Sequence, residues 1–224
     1  MSIFVEQVVN DWGETTYVPT SAGFAALVVV MIAVFIVGIT LFGGERKSSA
    51  KQIAFSALAI ALATVASFLK IIHMPMGGSV TLFSMLFIVL IGYWFGLGAG
   101  LTAAFAYGIL QMSIDPYILT LPQMMVDYVF AFTALGLSGL FSKSKNGLTK
   151  GYIVAVLGRY FFAFLSGWIF FGEYAGSYGF KSGVVYSLAY NGAYLGVEAA
   201  LTLVLISLPP VKKALAHVKQ MATE

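Results

Sequence analysis

Residues 21–43, SAGFAALVVVMIAVFIVGITLFG, run without one charged side chain. A helix needs about 20 apolar residues to cross a bilayer, and this stretch has them. Residues 52–70 form a second such stretch. Apolar sequence then continues over about 79–112, broken by GYWFGLGAG, whose glycines make a tight turn and leave two shorter spans. Further spans run at about 121–141, 151–171 and 183–208, preceded by SIDPY, SKSKNG and GEYAGSYGFKSG. The expected total is seven helices. Composition agrees: the chain is 60% hydrophobic and 9% charged, with a mean hydropathy of +0.93. That is the balance of an all-α polytopic membrane protein, not of a soluble domain.

The flank before residue 21 is acidic and lacks Lys and Arg, so the first span reads as a retained anchor rather than a cleaved signal. Lys and Arg set orientation. Arg46, Lys47, Lys51, Lys143, Lys145, Lys150, Lys212, Lys213 and Lys219 all fall on one side if seven spans alternate, against Lys70 and Lys181 on the other. The expected topology has the N-terminus outside and the C-terminus in the cytoplasm. Cysteine is absent, which excludes disulfides and thiolate chemistry. His73 and His217 fall near opposite faces, which argues against a histidine metal site. No Walker A sequence is present, so any energy for transport must come from elsewhere.

Charged residues inside spans are functional candidates by default. Three lie well inside: Asp127, Arg159 and Glu198. At 1.5 Å per residue, Arg159 and Glu198 sit roughly 12 and 15 Å from the cytoplasmic face, so an ion pair between them is expected. Asp127 lies roughly 9 Å below the outer face, in a layer with Asn191 and Tyr186. Tyr128 neighbours it, Tyr117 lies in the loop above, and Trp168 and Phe171 end a span on that side. A carboxylate ringed by aromatics suits a cation, and an Asn adds a polar edge. The same residues also fit a structural hydrogen-bond knot. In the 52–70 span, Ala57 and Ala61, and Ala59 and Ala63, are each one turn apart, a spacing that serves internal packing or partner docking. MPMGGSVTL, residues 74–82, is an outer loop able to act as a turn or a lid.

Four ordered blocks, MPMGGSVTLFSM, YGILQMSIDPYILTLPQMMVDYVFAF, GRYFFAFLSGWIFFGEYA and YSLAYNG, resemble the thiamine-specific S-components of energy-coupling factor (ECF) transporters. The resemblance covers about residues 52–208. It implies a six-helix vitamin-binding membrane domain with its ligand near the outer face beneath loops. It also implies a transmembrane coupling protein and two ATPase subunits as partners, docking through the alanine-rich first helix of that domain. The family's pocket acid, a Glu, falls on Asp127, with Tyr128, Tyr117, Tyr186 and Asn191 at its other pocket positions; Gln123 and Trp168 complete the expected set. Two further family positions differ, with Ala163 in place of a His and Phe171 in place of a Trp.

The resulting expectation is an extracytoplasmic segment at 1–20, an extra transmembrane helix at 21–43 and a basic linker at 44–51. A six-helix substrate-binding domain at 52–208 and a cytoplasmic tail at 209–224 follow. The expected function is binding thiamine, a precursor or an analogue in a prokaryotic plasma membrane, with no cofactor and no enzymatic activity. A different vitamin or heteroaromatic compound, or a stand-alone secondary transporter, is the alternative.

Overall fold

The computed structural model describes residues 3–9, 15–26, 29, 33, 49–74, 78–115 and 117–224. Most of the helix expected over 21–43 therefore lies outside the described residues, as does most of the 44–51 linker. Residues 21–26 are helical, and the Phe24 ring stacks on Phe170 at 5.5 Å. Ahead of them β1 (Val5–Val9) pairs antiparallel with β2 (Thr15–Pro19).

The bundle begins at α1 (Ala50–Phe68), where Ser49 caps the helix by accepting from the Gln52 N–H at 3.1 Å. A short hairpin follows, β3 (Lys70–His73) against β4 (Ser79–Thr81). Then come α2 (Ser84–Phe95), α3 (Leu97–Ile114) and α4 (Leu121–Phe141). After these run α5 (Gly147–Phe171), α6 (Gly183–Ser207) and α7 (Pro209–Thr223). Five helical stretches among the described residues are long and apolar enough to cross a membrane. Several such stretches in one bundle are the architecture of a multi-pass membrane protein.

The span expected from residue 79 is shorter than its apolarity suggests. Its first residues form β4, and Phe83 adopts a left-handed conformation (φ 63°) before α2 starts. At about 1.5 Å per residue, α2 falls short of a bilayer's hydrocarbon thickness. It is instead the central helix. Met85, Ile88, Val89 and Ile91 are wholly buried against Ala63, Ala104, Leu135 and Tyr152.

A helix starting at such a depth leaves N–H groups without water. Phe83 offers no side-chain cap. Glu198, from α6, supplies one. Its Oε2 accepts from the Thr81 N–H (3.1 Å) and the Thr81 hydroxyl (2.7 Å). Its Oε1 accepts from the Met85 N–H (3.2 Å) and the Ser84 hydroxyl (3.3 Å). The expected Arg159–Glu198 ion pair is therefore not formed. The carboxylate is saturated by the start of α2, while the Arg159 guanidinium lies over the Phe132 ring, 4.1 Å from its centroid. Matching depth placed the two charges in one layer but could not say which way each side chain turned.

Glycines let the basic half of the bundle close. A Cβ on Gly136 of α4 would lie 2.4 Å from the Gly100 carbonyl carbon, and one on Gly139 would lie 2.4 Å from that of Gly96. Gly96 itself has φ +91°, which turns α2 into α3 with no loop. The 209–224 segment expected as a tail folds back as α7, burying Ala222 and packing Leu215 and Val218 on the core. Its Lys219 donates to the Ser142 carbonyl at 2.5 Å and lies 3.7 Å from the Tyr93 ring centroid. On α1, Ala59 and Ala63 are buried while Ala57 and Ala61 are exposed, so the two alanine pairs face different surroundings.

Glu198→Ala strips the cap from buried donors and is expected to destabilise the fold by about 3 kcal/mol or more. Thermal unfolding in detergent checks this. Arg159→Ala should melt within a few degrees of the parent; equal losses for the two variants would restore the ion pair.

Candidate functional site

The site lies between α4, α5 and α6, at the end of the bundle opposite the basic Lys143–Lys150 turn. On α5 the inward face is set by helical spacing. Arg159, Ala163, Ser166 and Phe171 recur at intervals of three to five residues and, with Gly167 beside Ser166, line one cavity. Trp168 falls on the other side. It is 47% exposed and stacks on Phe164 at 6.0 Å, so it does not join the cavity as expected. At about 100° per residue the lining positions occupy an arc of about 140° around the helix, and Trp168 falls about 60° beyond its edge, off the inner face.

From α4 come Gln123, Asp127, Tyr128, Ala131 and Phe132. The Met125–Phe130 stretch is a wide π-helical turn, a local distortion frequent at functional sites. Gln123 is buried and fully engaged. Its amide nitrogen donates to Asp127 Oδ2 (2.6 Å) and to the Tyr117 carbonyl (3.0 Å), and its oxygen accepts from the Leu119 N–H (3.0 Å). Tyr128 is similarly committed at its hydroxyl, which accepts from the Tyr117 N–H at 2.7 Å and donates to the Asp115 carbonyl at 2.8 Å. Both residues border the cavity, yet their polar ends hold the loop residues Asp115, Tyr117 and Leu119 over it. That loop is tied in turn to the β3–β4 hairpin by an ion pair between Asp115 and Lys70.

The third wall is α6. Tyr186, Tyr190 and Tyr194 stand one turn apart, with ring centroids 5.7 and 5.9 Å from one to the next. Asn191 sits among them, donating to the Ser187 carbonyl (3.0 Å) and hydroxyl (3.2 Å) and accepting from the Tyr194 hydroxyl (3.1 Å). Gly167 permits this approach: a Cβ there would lie 2.3 Å from the Ser187 hydroxyl and 2.8 Å from the Asn191 amide nitrogen. At the mouth the Tyr117 and Phe171 rings stack at 5.9 Å.

The cavity measures about 110 Å³. One water needs only about 10–15 Å³ of such space, so the room suits a small organic molecule. The Ser166 and Tyr190 hydroxyls also line it. Seven of the eight residues expected to bind substrate meet here: Asp127, Tyr128, Tyr117, Tyr186, Asn191, Phe171 and Gln123. Sequence reasoning missed Tyr190, Tyr194, Phe132, Ser166 and Arg159 as wall residues. The four-residue period of YSLAYNGAY was the available signal for the tyrosines. Nothing in the sequence distinguished a cavity-facing Arg159 from a paired one.

Comparison with known proteins gives a consistent picture. The family model described as Thiamine transporter protein (Thia_YuaJ) matches residues 53–217. The chain is 36% identical over 141 residues to the thiamine transporter ThiT of Bacillus subtilis (strain 168), spanning 55% of this chain and 70% of that one. It is 31% identical over 131 residues to the thiamine transporter ThiT of Lacticaseibacillus paracasei, spanning 50% and 63%. The fold superposes on a solved structure of ThiT from Listeria monocytogenes with a TM-score of 0.60 at 24% identity, covering 71% of this chain and 94% of the other. A model that matches the bundle from α1 into α7 settles the family: the chain belongs to the thiamine transporter proteins.

Proposed function

We propose that this chain is the substrate-binding membrane subunit of an energy-coupling factor importer, taking up thiamine or a close relative as a transporter component rather than an enzyme. The observation that carries the reading is the cavity. Asp127, held by Gln123, faces it beside a wall of tyrosine rings, with Asn191 on the same wall. A carboxylate supplies charge to a heteroaromatic cation, and flat rings take its faces. The membership of the thiamine transporter proteins, and the relatives named for that activity, support the same substrate.

The proposed topology places residues 52–208 as a six-helix domain in a prokaryotic plasma membrane. It is preceded by an extra helix at 21–43, with the N-terminus outside. The cavity then opens outward beneath the 74–82 and 113–120 loops, and the basic turns face the cytoplasm. A transmembrane coupling protein and two ATPases would drive release. Exposed Ala57 and Ala61, beside exposed Ile53, Leu58 and Leu62, offer α1 as the docking face, whereas Ala59 and Ala63 serve the core.

The purified protein should bind thiamine, measured by calorimetry. Asp127→Asn is expected to weaken its affinity about 100-fold, the loss typical of uncharging one side of a buried pair. Trp168→Phe should leave it within about twofold in the same measurement. Absence of binding by thiamine and its precursors would defeat the proposal. Ala57→Leu with Ala61→Leu should keep binding intact and abolish co-purification with the coupling protein; retained co-purification would move the docking face elsewhere.

A further inference from the structure

Arg159 lines the cavity, and the residue expected to neutralise it is spent elsewhere. Phe132 takes the face of the guanidinium. Among the described residues, no carboxylate, carbonyl or hydroxyl accepts a hydrogen bond from its nitrogens. A guanidinium carries five N–H donors, and these are left to face the half-buried space of the cavity. Arg159 stands about 10 Å below Ser166 along α5, so it forms the floor of the space whose upper part holds Asp127. Between them on the same face is Ala163, whose methyl group leaves the way to the floor open.

The geometry points to Arg159 as a ligand-binding residue that reads an oxygen acceptor on the inner end of the substrate. The site then has two charged ends. Asp127 faces the cationic heteroaromatic part, and Arg159 faces a tail bearing a hydroxyl or a phosphate ester. Both tails offer the same chemistry, a lone-pair oxygen for the planar fork of a guanidinium. The inference rests on the thiamine reading above and adds to it what selects the far end of the molecule.

The test is calorimetric binding to the purified full chain of thiamine, thiamine monophosphate and a thiamine analogue lacking the side-chain hydroxyl. Arg159→Gln should weaken binding of the oxygen-bearing ligand about tenfold or more and change the hydroxyl-free analogue by less than about twofold. Arg159→Lys, which keeps the charge but not the fork, should fall between the parent and Arg159→Gln; it carries the test if the glutamine variant fails to fold. The ligand that loses most identifies whether hydroxyl or phosphate occupies the floor. Equal losses for ligands with and without the oxygen, or no loss for either, would overturn this inference while leaving the thiamine reading intact. Failure of the parent chain to bind any of the three would overturn both.

Discussion

A carboxylate buried in a membrane helix holds the first half of this bundle to the second. Glu198 accepts from two backbone N–H groups and two hydroxyls at the β4–α2 junction, at a point where the chain has no cap of its own. Donors at the positive end of a helix favour an anion, and an anion at depth needs donors. Each solves the other's problem. The bond also crosses the chain from residue 81 to residue 198, so it fixes the β3–β4 hairpin relative to the helix that carries Tyr186, Tyr190, Asn191 and Tyr194.

That anchoring explains why α2 can be short. A helix that had to span the bilayer would need about 20 residues. One capped internally can begin below the surface and be surrounded by the others, as the burial of Met85, Ile88, Val89 and Ile91 shows. The glycine contacts then set how tightly each end closes. Gly136 and Gly139 bring α4 onto the backbone at the α2–α3 turn, where no side chain fits between. Toward the cavity end, Gly167 brings α5 against Ser187 and Asn191 of α6, and larger aromatic rings frame the remaining space.

The cavity divides its polar groups by task. Gln123 and the Tyr128 hydroxyl use their hydrogen bonds on the loop overhead and on Asp127. Asp127 and Arg159 keep capacity facing the cavity. Rigid support of a few such groups is what gives a pocket its orientation and selectivity, because a ligand then need not order them.

Much of this was legible in the residues alone. Apolar length announced the membrane spans, and the cost of an intramembrane charge singled out Asp127, Arg159 and Glu198. Ordered sequence blocks pointed to the family and to seven of the cavity residues. Those features are local: they follow from composition and from spacing along one helix. Tertiary structure decided the rest. Trp168 turned out of the cavity because its position on α5 lies beyond the arc of the lining residues. The charge pair dissolved because a carboxylate can be satisfied by backbone and hydroxyl donors over a hundred residues away, which depth along a span cannot reveal. Helical periodicity says which residues share a side, but only the packing of neighbouring helices says what that side meets.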